Sequence, residues 1–127
     1  MKYLLLIYEN EGNFATVSEE DGNRIFAEYM DYTRGIKKAG NYIGGEALQP
    51  VATATTVRQR NGKTLTTDGP FAETKEQLGG YYLIDVPDLT TALKYAALCP
   101  GARYGGCCEV RPLGIITDTE GGIAMMQ

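Results

Sequence analysis

The chain has 127 residues, of which 43% are apolar and 22% charged, ordinary proportions for a single soluble domain. Twelve Lys and Arg against sixteen Asp and Glu give a net charge of −4, which argues against direct nucleic-acid binding and against docking on an anionic membrane. Histidine is absent, which excludes Ser-His-Asp and Cys-His catalysis and, with only three cysteines present, makes a zinc site unexpected.

The first residues, MKYLLLIYEN, superficially resemble a signal peptide. The apolar run is too short for one, no small-residue cleavage site follows, and no segment reaches the ~18 apolar residues of a membrane span. The expected location is therefore the cytoplasm. Residues 2–8 read as a strand that is apolar on both sides, with Leu5 and Ile7 pointing one way and Leu4, Leu6 and Tyr8 the other. Residues 18–39 read as a helix. Ser18 and Asp21 form a capping-box pattern, and Ile25, Phe26, Tyr29, Met30, Thr33 and Ile36 recur at helical spacing.

A second strand is expected over residues 42–49, ended by Pro50. Residues 54–60 and 63–67 flank Asn61-Gly62, a strong type I′ hairpin signal, and read as a half-exposed edge ribbon. The long connection 68–80 opens with the turn residues Asp68-Gly69-Pro70, and a short helical turn is expected over 73–78. Residues 81–86 form another strand with Tyr82 and Ile84 on one side and Tyr81 and Leu83 on the other. Asp88 caps a helix over 89–98 whose stripe is Leu89, Leu93, Ala96 and Ala97, and Pro100-Gly101 stops it. Residues 107–112 are the last strand. The domain spans 1–113, and 114–127 form a C-terminal tail that is either loosely ordered or covers an edge.

The order is β-α-β, a hairpin, then β-α-β. The simplest architecture is a ferredoxin-like α+β layer with an inserted hairpin. Two helices cover one face of such a sheet, yet two strands offer apolar side chains to both. A second copy related by two-fold symmetry is the cheapest cover, so a homodimer packed sheet to sheet around a barrel-like interior is expected.

Without histidine, acid–base work falls to carboxylates, Tyr, Lys or Cys with shifted pKa values. Asp68 has two readings. It is a turn aspartate binding backbone N–H groups, or a carboxylate at the mouth of an apolar pocket, where desolvation makes it a usable catalytic base. On the last strand Cys108 and Val110 share one side, Glu109 and Arg111 the other. Arg111 is either an ion-pair neighbour of Glu109 or a fork for a substrate carboxylate. Glu46, set among glycines, either pairs with an arginine or faces a cavity. Tyr8 and Tyr82 are either core or interface aromatics or ligand contacts, and with Arg103 and Phe71 they complete the candidate substrate-binding set. Cys99, Cys107 and Cys108 read as reduced thiols in packing roles. Gly79-Gly80 precedes no helix opening, so there is no nucleotide fingerprint; neither a cofactor nor a metal is expected.

The segments LQPVATATTVR (48–58), TDGPFAETKEQLGGYYLIDV (67–86), ALKYAALCPGARYG (92–105) and EVRPL (109–113) resemble the DGPF family of the YCII-related group. The resemblance implies a ferredoxin-like subunit in a dimeric α+β barrel. Some relatives are similar to muconolactone isomerases or chloromuconolactone dehalogenases. Others occur with, or fused to, extracytoplasmic-function sigma factors, which implies a sensing role. Where a site has been suggested in such proteins, a His–Asp pair lines the cleft, and Asp68 is this chain's only match to it. Two functions follow as expectations: a small-molecule enzyme using Asp68 as general base with Arg111 or Arg103 holding an anionic group, or a non-catalytic ligand-binding module in a sigma-factor system.

Overall fold

The computed structural model describes residues 1–114. Strand β1 (Lys2–Glu9) leads through a one-turn helix α1 (Glu11–Phe14) into the long helix α2 (Glu19–Lys38), then strand β2 (Tyr42–Ala47). A hairpin of β3 (Thr55–Arg60) and β4 (Lys63–Asp68) follows, then β5 (Gln77–Asp85), α3 (Leu89–Leu98), the one-turn α4 (Pro100–Arg103) and β6 (Cys107–Pro112). The main sheet is antiparallel throughout, in the order β2-β5-β1-β6. Each β-α-β half leaves a gap that a strand of the other half fills, so β1 and β5 lie side by side at the centre.

Local signals set the ends of the elements. Ser18 accepts a hydrogen bond from the Asp21 N–H and opens α2, and Lys37 and Lys38 sit at its negative end. Asp88 caps α3 by accepting from the Thr91 N–H and hydroxyl. The hairpin turns at Asn61 and Gly62 with φ of 51° and 75°, as a type I′ turn requires.

Alternation along β1 sends Tyr3, Leu5 and Ile7 to one face, where they are buried with Ile84 and Val86 beneath Ile36 of α2 and Ala92 and Ala96 of α3. The small alanines let α3 lie close on the sheet. Leu89 and Leu93, expected in its inner stripe, are instead half-exposed on the outside. The same correction holds for α2: Ile25, Tyr29, Tyr32 and Ile36 face inward, whereas Phe26 and Met30 are exposed. In both helices the 3.6-residue period admits more than one stripe, and the fit to the sheet selects one.

Two further expectations change, while the stop at Pro100-Gly101 stands with a short helix added after it. The stretch 73–78 forms no helical turn, because from Gln77 onward the chain pairs with β1 as a strand. Pro100 ends α3 but opens α4 as its first residue. The β3–β4 ribbon is a separate two-stranded sheet, exposed along nearly its whole length, and is not an edge of the main sheet. The expectations for the tail beyond residue 114 lie outside the described residues. No helix among the described residues is long and apolar enough to cross a membrane.

Candidate functional site

The inward alternation of β1 continues past Ile7 to Glu9. A carboxylate therefore lies on the helix-covered side of the sheet, half-buried at the strand end. Tyr29 of α2 donates its hydroxyl proton to Glu9 Oε1 at 3.2 Å. Two close approaches make room for the pair. A Cβ on Gly101 would lie 2.6 Å from the Tyr29 hydroxyl oxygen and 2.9 Å from an Ile7 methyl, and one on Gly79 would lie 2.9 Å from Glu9 Oε2. Burial raises the Glu9 pKa, the Tyr29 hydrogen bond works against that rise, and the like charge of Glu11 adds to it. Burial also raises the Tyr29 pKa strongly, so the tyrosine keeps its proton and remains the donor.

Glu9 stands where two cavities meet. One, of about 410 Å³, runs between α2 and the β2–β5 edge, walled by Phe26, Tyr29, Met30, Tyr42, Leu48 and Tyr82. The other, of about 560 Å³, lies between Glu9, Glu11, Phe14, Pro50 and Gln77. Leu48 and Gly79 line both. Glu11 is tied down by accepting from the Val51 N–H at 2.9 Å, and its own N–H donates to Gln77 Oε1 at 3.0 Å. Volumes of this size suit a small ligand. A carboxylate whose pKa is raised by burial, beside a fixed hydroxyl donor, is suited to taking up and releasing a proton.

Of the residues singled out in the sequence, Tyr82 is at this groove. Its ring stands edge-on to Tyr32 and Tyr42, and its hydroxyl is 2.6 Å from that of Thr33. Glu46 borders the groove, but it pairs across the strands with Tyr81, on the face away from the helices. Tyr8 lines a third cavity, of about 440 Å³, on that same open face with Lys75, Glu76, Cys107 and Glu109. Arg111 is on the same face, outside that cavity's lining, its Nε 3.3 Å from Glu109 Oε1. Arg103 is elsewhere, 3.4 Å from Glu28. Asp68 is exposed at the end of the ribbon, and Phe71 is 78% exposed; neither lines any of these cavities.

The candidates are thus dispersed, and Glu9 was not among them. The signal for it is nonetheless present: in the series 3, 5, 7, 9 the last inward position is acidic. Cys107 and Cys108 face opposite ways, as strand neighbours must, opposite Tyr8 and Ile7 respectively.

Residues 1–114 match the model of the YCII-related domain. An uncharacterised protein of Rhizobium meliloti (strain 1021) is 39% identical to this chain over 121 residues, covering 94% of this chain and 98% of the relative. With its antiparallel sheet, its helices and that match along the whole described length, the chain belongs to the YCII-related family.

Proposed function

We propose that this chain binds a small molecule in the groove between α2 and the β2–β5 edge, with Glu9 exchanging a proton with what binds there. The observation that carries this reading is the placement of Glu9: a half-buried carboxylate at the junction of two cavities, held by the Tyr29 hydroxyl and given room by Gly79. Isomerase- or lyase-like chemistry of this kind needs only a carboxylate and a hydroxyl donor.

We read the subunit as ferredoxin-like and, within its family, as a DGPF member. Its working form is a homodimer in the cytoplasm. The strand order and the two helices on one face support the first point. The open face supports the dimer. Leu4, Leu6, Tyr81 and Leu83 form a half-exposed apolar centre there, rimmed by Glu46, Glu109 and Arg111. The ribbon adds to this, since an isolated two-stranded hairpin is marginal in water and gains from packing on a second copy. In such a dimer the ribbon is also the means of carrying Asp68 and Phe71 toward the other subunit's groove.

Amide NMR with a panel of small metabolites tests the reading. Shifts at Gly79, Gly80 and Tyr29 are expected for a ligand, and Glu9→Gln is expected to abolish any turnover by at least about 100-fold while keeping the fold. Ligand shifts confined to the open face would overturn the assignment of the groove. Binding there without turnover across the panel would leave a sensing module in place of an enzyme.

A further inference from the structure

With the groove read as the ligand site, its lining bears on the charge of what it takes. Among the described residues neither of the two cavities that meet at Glu9 is lined by a lysine or an arginine. The charged side chains that they present are Glu9 and Glu11, while Glu46 borders the groove from the sheet's edge strand. An anionic ligand would bring a like charge against these carboxylates in a partly desolvated space.

The walls favour the opposite charge. Phe26, 66% exposed, and Met30 stand along α2 above the groove, and Tyr42 and Tyr82 present rings from the sheet. Aromatic faces attract cations. One of these rings already does so: the Lys37 ammonium lies 4.8 Å from the centre of the Tyr42 ring. Tyr29 engages Oε1 of Glu9, while Oε2 lies close against Gly79, and both Glu9 and Gly79 line the two cavities.

We propose that this groove takes a ligand with a positively charged nitrogen on an apolar body of about the size of an aromatic ring, the nitrogen meeting Glu9 and the body lying along Phe26, Met30 and Leu48. The substrate class is then an amine, not the carboxylate that Arg111 or Arg103 would recognise.

Three probes with the same phenylethyl body separate charge from shape: 2-phenylethylamine, 2-phenylethanol and 3-phenylpropionate. Each is titrated at pH 7 into the full-length protein, and the amides of Phe26, Leu48, Gly79 and Gly80 are followed by NMR. The amine is expected to bind at least about tenfold more tightly than the alcohol, the scale of one hydrogen bond to a charged group, and the carboxylate most weakly. Glu9→Gln is expected to bring the amine's Kd to that of the alcohol and leave the alcohol unchanged. Phe26→Ala, at an exposed position, is expected to weaken all three by similar factors and keep their order; no change in any of them would overturn the proposal. An amine that binds no better than the alcohol, with shifts at the groove, would overturn the charge selection and leave the groove a ligand site. No shift at those amides from any probe at millimolar concentration would overturn both.

Discussion

The two faces of the main sheet are built from the same strands and meet different fates. Tyr3, Leu5 and Ile7 of β1 are at most 4% exposed, whereas their neighbours Leu4, Leu6 and Tyr8 are only half-buried. The covered face is buried at its centre, and a groove lies along its β2–β5 edge with Glu9 among its lining residues. The open face has its apolar residues in the middle and its charges at the rim, the layout of a protein–protein interface. The first face stabilises the chain alone; the second is stabilising only when something covers it.

The largest effect separates the faces directly. Leu5→Ala removes a fully buried side chain under both helices and is expected to cost about 2–5 kcal/mol in urea unfolding. Leu6→Ala, one residue on, is expected to cost about 1–2 kcal/mol in dilute protein, since only part of that side chain is removed from water within one chain. A second copy adds a concentration dependence. The wild-type Tm is expected to rise between micromolar and submillimolar protein, and that of Leu6→Ala to rise less. Equal, concentration-independent Tm values would show the open face to be unpaired in solution.

What could be read from the sequence follows the same division. Alternation in β1 and β5, the Ser18 and Asp88 caps and the Asn61-Gly62 turn are local patterns, and all of them stand in the fold. The choice of α2 stripe is not local: Tyr32 turns inward because its hydroxyl reaches the Tyr95 carbonyl at 2.6 Å and its ring meets Tyr82. Glu9 escaped for the same reason. A charge at a strand end ordinarily faces water, and its surroundings here come from Tyr29, Gly79 and Gly101, far apart in the chain. The motif around Asp68 is plain in the sequence, but the ribbon that carries it is a separate, exposed sheet, and Asp68 lines none of the three cavities described.

A smaller effect belongs to Glu9, at the strand end of the covered face. Glu9 has its folded pKa raised above the ordinary value of 4.5, and it is faced by Tyr29 from α2 and Glu11 from α1. Below that ordinary value it is protonated both folded and unfolded. As pH rises toward the folded pKa the unfolded chain releases its proton first, so stability falls through that window and levels off above it. Glu9→Gln is expected to flatten this part of the Tm–pH profile and to be at least as stable as wild type above it. A carboxyl NMR titration of Glu9 at or below 4.5 would remove the basis for both outcomes.

The smallest effect on the single chain is also the sharpest probe of the open face. Arg111 and Glu109 form an ion pair with 69% and 43% of their side-chain surfaces exposed. In water such a pair is worth about 0–1 kcal/mol, so Arg111→Ala is expected to leave unfolding of dilute protein nearly unchanged. Beneath a second copy the same substitution leaves the Glu109 carboxylate desolvated without its partner, a larger cost that falls only on association. Sedimentation equilibrium is then expected to show a dimer weakened by at least about tenfold in Arg111→Ala, partly restored when Glu109→Gln is added, since removing the orphaned charge removes the cost. An unchanged dimer constant would mean that this rim stays hydrated when two copies meet. The apolar centre around Leu6 and Leu83 would then carry the association without it.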